Sequence, residues 1–166
     1  MKTDQNDQIP FDKEIHILDF LKHDIHQNEF EILASSCSNW MTHQTSILED
    51  DQTQYISFDK SNSYIQINFQ NYFIELTGYT LNSSMNSYRY MRNWALFART
   101  DDAWILLDEH CDDDILKSDS LSLITIPIYC DGSKYKSFKL VQTGHNNKSD
   151  HILSIRYFDT NCSGDS

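Results

Sequence analysis

The densest set of potentially reactive side chains in this sequence is the segment from Asp108 to Asp114, which reads DEHCDDD. Carboxylates, an imidazole and a thiol can act as metal ligands or as acid/base groups, and Ca²⁺ in particular binds clustered carboxylate oxygens. The segment lacks the ordered ligand spacing of an EF-hand loop. We therefore interpret it as the end of a strand followed by a solvated acidic loop, with a structural calcium ion as the alternative.

A second candidate is the pair His23 and His26, which are three residues apart in a predicted helix. Two histidines without further ligands do not make a zinc site, because structural zinc takes four. No nucleophile is spaced for a neighbouring base, and a chain with only four glycines has no glycine-rich phosphate loop. The sequence predicts a protein that is not an enzyme and has no cofactor, with a hydrolase or metal enzyme as the remaining alternative.

The elements that would position these groups include a clear β-hairpin over residues 94–110. Large apolar residues alternate along residues 94–98, Asp101 and Asp102 supply a turn, and a second apolar strand begins at Trp104. Such a hairpin needs a sheet to pack against.

Other segments alternate in the same way. Ile65, Ile67 and Phe69 share one face of a predicted strand, and so do the isoleucines of residues 124–128. Pro127 interrupts the second run, and a proline cannot donate to a central ladder, so this strand should lie at a sheet edge or contain a bulge. The pattern predicts a two-sheet sandwich in which each strand has one buried face.

Five segments, in this order, resemble the motifs of the discoidin domain, also called the coagulation-factor V/VIII type C domain. They are ILASS at 32–36, SYIQINF at 63–69, the hairpin through WILLDE at 104–109, SFKLVQTG at 137–144 and IRYFD at 155–159. The WILLDE and QTG sequences are similar to the intracellular branch of that family. The resemblance implies an all-β, galactose-binding-like jelly-roll β-sandwich over residues 31–160.

The length of 166 residues and the hydrophobic content of 39% suit one domain. Apolar residues between Phe11 and Ile25 recur at helical spacing behind Pro10, which predicts one N-terminal amphipathic helix. We expect it to pack on the sandwich; a partner-binding helix is the alternative. The expected divisions are a flexible N-terminus at 1–9, a helical lead-in at 10–30, the sandwich at 31–160 and a tail at 161–166.

Charge and cysteine content restrict the expected partners. A formal net charge of −12 argues against nucleic acid and anionic membrane surfaces, which both select basic patches. No apolar run has the length of a membrane span, and the first fifteen residues contain none that reads as a signal peptide. We expect no membrane insertion and an intracellular, cytoplasmic location. Reduced structural thiols are expected, because no C-x-x-C pairing occurs among Cys37, Cys111, Cys130 and Cys162.

The resemblance also implies a ligand end formed by the loops at 37–46, 52–58 and 82–91. These loops, with one later loop, hold the aromatic, methionine and polar residues that we expect to bind a ligand or partner: Trp40, Met41, Tyr55, Asn82, Met85, Tyr88, Arg89 and His145. The alternatives are that Trp40 folds back into the base of the barrel and that half of the Tyr88–Arg92 cluster belongs to the core.

The functional expectation is a non-catalytic intracellular recognition module. By analogy with intracellular discoidin-like domains, it would bind a protein partner as a scaffold subunit of a larger assembly, which could be cytoskeletal or ciliary. The alternative is a lectin-like module that binds galactose-type or other glycans through the same loops, because sugar recognition needs an aromatic platform and planar polar groups.

Overall fold

The fold is a sandwich of two antiparallel sheets, seen in a computed structural model that describes residues 15–17, 30–37, 45, 47, 54–83, 89–117, 123–129 and 131–162. Sheet A has the strand order β1-β10-β5-β8, with β3 also paired to β10, and sheet B has the order β2-β4-β9-β6-β7. The strands of the described residues are β1 (Ile15–His16), β2 (Phe30–Ala34), β3 (Tyr55–Ile56), β4 (Tyr64–Phe69), β5 (Leu76–Ser83), β6 (Trp94–Arg99), β7 (Ile105–His110), β8 (Ile124–Pro127), β9 (Ser137–Gln142) and β10 (Ser154–Cys162).

The core lies between the two sheets and follows the alternation of the sequence. Ile65, Ile67 and Phe69 of β4 are buried, and so are Trp94 and Leu96 of β6. Side chains of neighbouring strands in sheet B therefore share one inward face, as the period of two requires. The predicted all-β jelly-roll sandwich is confirmed.

The predicted hairpin is formed by β6 and β7. Trp94 pairs with His110, and a shift of register follows Leu96. Asp101 and Asp102 occupy the exposed turn between the strands. The hairpin fixes the Asp108–His110 strand end next to Trp94, which matters for the chemistry described below.

Among the strands that the structure describes, β8 pairs with β5 alone and so lies at the edge of sheet A. This placement confirms the edge position predicted from Pro127, whose missing N–H faces no further strand. Gly78 is opposite Pro127, and a Cβ at Gly78 would stand 2.7 Å from the carbonyl oxygen of Ile126. Glycine therefore allows the close approach of β5 and β8.

The predicted N-terminal helix is wrong at Ile15 and His16, whereas Ile17, the next described residue, is helical. Ile15 and His16 form β1, antiparallel to Cys162 and Asn161 at the end of β10. The backbone of an edge strand offers unpaired N–H and C=O groups, and pairing with them outweighs the helical spacing of the apolar residues. The rest of the lead-in, except Ile17 and Phe30, lies outside the described residues. Within those residues, no helix has the length and apolar character that crossing a bilayer would require.

The described cysteines differ in exposure. Cys37 is half-buried and Cys111 is exposed, whereas Cys162 is buried at the end of β10. Burial raises the pKa of Cys162 to about 11, so this thiol stays protonated near neutral pH. The buried thiol of Cys162 agrees with the expected reduced structural thiols, and Cys130 lies outside the described residues.

Candidate functional site

Several loops meet at one end of the sandwich because the strands are antiparallel. Strand pairing in sheet B brings Ala34, Tyr64, Trp94, His110 and Gln142 to the same end of the sheet. We call the described residues 35–37, 57–63, 89–93, 111–117 and 143–153 the loop end, and residues 70–75, 100–104, 128–129 and 131–136 the opposite end. The described parts of the three predicted ligand loops lie at or beside the loop end.

The loop from residue 143 to residue 153 is organised around the buried side chain of Asn146. Its Nδ2 donates to Asp150 Oδ1 at 2.5 Å and to the Ile152 carbonyl at 3.0 Å. Its Oδ1 accepts from the backbone N–H groups of Lys148 at 2.8 Å and Asp150 at 3.3 Å. One amide thus fixes a turn in which Ser149 has a φ of 62°.

Two further asparagines join this loop to its neighbours. Asn93 donates from Nδ2 to the His145 carbonyl at 2.9 Å, and its Oδ1 accepts from Asp112 N–H at 2.9 Å. Asn147 Oδ1 accepts from the Tyr90 N–H at 2.8 Å. The loops from three different strand connections are therefore bonded into one surface.

That surface carries an exposed phenylalanine and a pair of imidazoles, on two loops that are joined by a hydrogen bond. The side chain of Phe58 is 48% exposed, and its backbone N–H donates to Ser36 Oγ at 3.1 Å. The next residue, Asp59, accepts from the His151 N–H at 2.8 Å. The His151 ring lies 4.3 Å from the ring of exposed His145, centroid to centroid. This arrangement can stack an apolar ligand face and hydrogen-bond its polar groups.

Arg89 is held against the same loop. Its Nε donates to Asp150 Oδ2 at 3.1 Å. Burial alone would raise the pKa of Asp150, but hydrogen bonds from the Ile152 N–H, Asn146 and Arg89 together lower it below its ordinary value. Asp150 therefore stays ionised and keeps the guanidinium in place.

The structure corrects the placement of two predicted site residues. Tyr55 is fully buried, its hydroxyl donates to the Ser36 carbonyl, and burial raises its pKa to about 12. Asn82 is 8% exposed within β5. Tyr55 faces inward because β3 pairs with β10, so neither side chain is available as a surface contact. Arg89 and His145 do lie at the loop end, and Trp40, Met41, Met85 and Tyr88 lie outside the described residues.

Sequence reasoning overlooked Phe58 and His151 as members of this surface. Phe58 ends the predicted loop at 52–58 and precedes the turn-forming residues Asp59 to Asn62, and an aromatic beside a turn was the available signal. His151 had no signal, because its place depends on the distant contact with Asp59.

The acidic segment uses its side chains to hold the end of β7. His110 lies between Asp113, at 2.6 Å from Nδ1, and Asp108, at 2.9 Å from Nε2. Asp108 also accepts from the Tyr79 hydroxyl at 2.6 Å, and that hydroxyl accepts from Trp94 Nε1 at 2.9 Å. The Trp94 and His110 rings are stacked with centroids 4.2 Å apart.

The electrostatics of this segment favour a charged pair of His110 and Asp113. Burial lowers the pKa of His110, but hydrogen bonds to Asp113 and Asp108, and their charges, outweigh burial and raise it. The hydrogen bond from His110 lowers the pKa of Asp113. Asp114 accepts from Arg92 Nε at 2.8 Å. Several of the carboxylates are thus engaged by protein donors, and no group of three His, Cys, Asp or Glu side chains among the described residues is arranged to hold a metal ion.

Comparison with known proteins identifies the fold. No protein-family model and no curated protein matches the sequence. A carbohydrate-binding module of Clostridium perfringens, solved with GalNAc-β-1,3-galactose, is 14% identical, with a TM-score of 0.64 over 81% of this chain and 96% of that one. The family 32 module of C. perfringens NanJ, in complex with galactose, is 11% identical, with a TM-score of 0.65 over 90% of this chain and 99% of that one.

A third structure, the family 32 module of AlyQ in complex with 4,5-unsaturated mannuronic acid, is 11% identical, with a TM-score of 0.63 over 78% of this chain and 92% of that one. At such low identity these likenesses establish the fold alone. It is the galactose-binding-like jelly roll of discoidin-type domains, as the sequence resemblance implied.

Proposed function

We propose that this protein is a non-catalytic glycan-binding module whose ligand site is the exposed surface of the loop end. The observation that carries the proposal is the half-exposed Phe58 on a loop that Asp59 bonds to His151, whose ring contacts that of His145. The fold adds support, because the structures compared above are modules solved with carbohydrates.

The chemistry of the surface suits a sugar ring. An aromatic face stacks on the C–H face of a pyranose, and imidazole and guanidinium groups donate to its hydroxyls. Phe58 supplies the ring, while His145 and Arg89 are the accessible polar groups at the same end. The hydrogen bonds of Asn93, Asn146 and Asn147 hold these groups in place before a ligand arrives, which reduces the entropy lost on binding.

The comparisons give no support to the main expectation from the sequence, a scaffold subunit that binds proteins. The matched structures quoted above were all solved as carbohydrate-binding modules, whereas the protein partner is an inference from the aromatic loop residues and from analogy with intracellular discoidin-like domains. An intracellular location stays a prediction. The glycan alternative is therefore the function that we adopt.

The test compares two aromatic side chains with similar surroundings. Phe58 lies at the loop end with Lys60 Nζ 5.8 Å from its ring centroid, and Phe73 lies at the opposite end with Lys136 Nζ at 4.8 Å. Titration calorimetry with galactose and GalNAc-β-1,3-galactose should give about tenfold weaker binding for Phe58→Ala, which is the value of one stacked ring. Phe73→Ala should bind as the wild type does.

Equal losses in both variants would contradict a site at the loop end. Failure of the folded wild-type protein to bind any member of a broad glycan array would contradict the proposed function itself. Affinity purification from cells would then be the measurement that revives a protein partner.

A further inference from the structure

Two cationic side chains on the outer face of sheet B share one indole ring. The guanidinium carbon of Arg99 lies 4.4 Å from the centroid of Trp104, and Lys139 Nζ lies 4.3 Å from the same centroid. Lys139 Nζ is also 5.4 Å from the centroid of Tyr64. Strands β6 and β9 are paired with Phe97 opposite Lys139, so Arg99 and Lys139 are diagonal neighbours. We call these four residues, Tyr64, Arg99, Trp104 and Lys139, the cationic face.

The charges of the cationic face are not neutralised by the described part of the chain. The sequence has 25 acidic residues against 13 Lys and Arg, so a cation here has many carboxylates to choose from. Arg89 and Arg92 do pair with Asp150 and Asp114, whereas no carboxylate of the described residues pairs with Arg99 or Lys139. Burial lowers the pKa of Lys139, and the charge of Arg99 lowers it further, so the two cations repel each other.

We propose that the cationic face binds the anionic group of an acidic glycan, a carboxylate or sulfate carried on a sugar ring. A guanidinium and an ammonium held side by side match an oxyanion, and the bound anion removes their mutual repulsion. The Trp104 and Tyr64 rings provide apolar contact for the sugar that carries the anion.

This site is distinct from the loop end. The inference depends on the proposed function in one respect, namely that the molecule that carries the anion is a glycan. An extended polyanion such as nucleic acid is disfavoured as the ligand, because the net charge of −12 repels it along most of its length. A short acidic sugar places one or two charges at the pair and leaves the remainder in solvent.

The test is calorimetric titration of the full chain with tetragalacturonic acid, with neutral galactotetraose and with inorganic sulfate, each at low and at high salt. Lys139→Gln and Arg99→Gln should each weaken tetragalacturonate binding by about tenfold, the value of one charge-assisted hydrogen bond. Lys134→Gln removes the same charge from an exposed site outside both the cationic face and the loop end, and it should leave the affinity unchanged. Lys139→Arg keeps the positive charge and should retain most of the affinity for tetragalacturonate.

The outcomes separate this site from the proposed loop-end site. Lys139→Gln should retain wild-type galactose binding, and Phe58→Ala should retain tetragalacturonate binding. Absence of tetragalacturonate binding, or equal weakening by Lys134→Gln, would overturn the proposal. Inorganic sulfate binding as tightly as tetragalacturonate would overturn its glycan part and leave a simple anion site.

Discussion

The two ends of the sandwich differ in how far side chains supplement the backbone hydrogen bonds of their loops. At the loop end, backbone bonds such as Thr143 N–H to the Asn93 carbonyl at 3.0 Å are joined by bonds from the side chains of Asn93, Asn146 and Asn147 to backbone groups of their own and neighbouring loops. At the opposite end, most bonds among the described residues join backbone groups, as in the reciprocal bonds between Ile74 and Tyr135 at 2.8 and 2.9 Å.

The difference follows from the regularity of the chain. Connections at the opposite end continue the ladder of the strands, whereas the irregular loops at the loop end leave N–H and C=O groups that side chains help to satisfy. Ordering irregular loops costs conformational entropy. The side-chain hydrogen bonds offset this cost and hold the exposed groups of the loops in fixed positions. The loop end is thus the part of this molecule whose geometry is specified residue by residue.

The largest expected effect is that of Asn146→Ala. The change removes the donors to Asp150 and Ile152 and the acceptor for Lys148, so the free energy of unfolding should fall by roughly 2–4 kcal/mol. Urea denaturation measures the loss, and hydrogen exchange should show reduced protection in residues 143–153. Thr100→Ala is the control, because Thr100 Oγ1 makes one exposed bond, to the Lys134 carbonyl at the opposite end. Similar losses in both variants would refute the contrast between the ends.

A smaller effect is expected for Gly144→Ala. A Cβ at Gly144 would stand 3.0 Å from Cβ and Cγ of Asn93, whose side chain is already fixed by two bonds. Displacing Asn93 should lower the free energy of unfolding by roughly 1–2 kcal/mol, within the range for overpacking. Thermal unfolding checks the value, and an Asn93→Ala/Gly144→Ala double variant should lose less than the sum of the single variants. Full additivity would show that the two residues do not interact.

The smallest effect is a pH dependence at the end of β7. The pKa of His110 is raised above its ordinary 6.5, so the stability gained from the charged His110–Asp113 pair is complete below pH 6.5 and fades as the pH rises through the raised value. The pKa of Asp113 is lowered from 3.8, so the same stability is lost again as the pH falls through that lowered value. The difference in Tm between the wild type and His110→Gln should be greatest between these limits. A difference that grows above pH 6.5 would reverse the sign and contradict the pairing.

Much of the sandwich was predictable because strands with one buried face carry a period of two. That pattern located Ile65, Ile67 and Phe69, and Pro127 marked the edge strand. The helical spacing of apolar residues in the N-terminal segment predicted a helix at Ile15, where the structure has β1. This strand has only two residues, and its partner β10 is remote in sequence.

The candidate site was less predictable, for the same reason of sequence distance. Tyr55 was predicted to be a surface contact because a two-residue strand shows no alternation, and its inward direction depends on β10, about a hundred residues later. The cationic face was also not foreseen, since Arg99, Trp104 and Lys139 come together only through the register of β6 and β9. The sequence contains many asparagines, and it does not indicate which of them organise loops.

The stacking of Trp94 on His110 also has an optical consequence. Of the two tryptophans among the described residues, Trp94 is the one whose indole lies parallel to an imidazole, with centroids 4.2 Å apart and an interplanar angle of 10°. A protonated imidazole in contact with an excited indole accepts an electron from it and quenches its fluorescence. The intrinsic fluorescence of the fully buried Trp94 should therefore report the protonation state of His110.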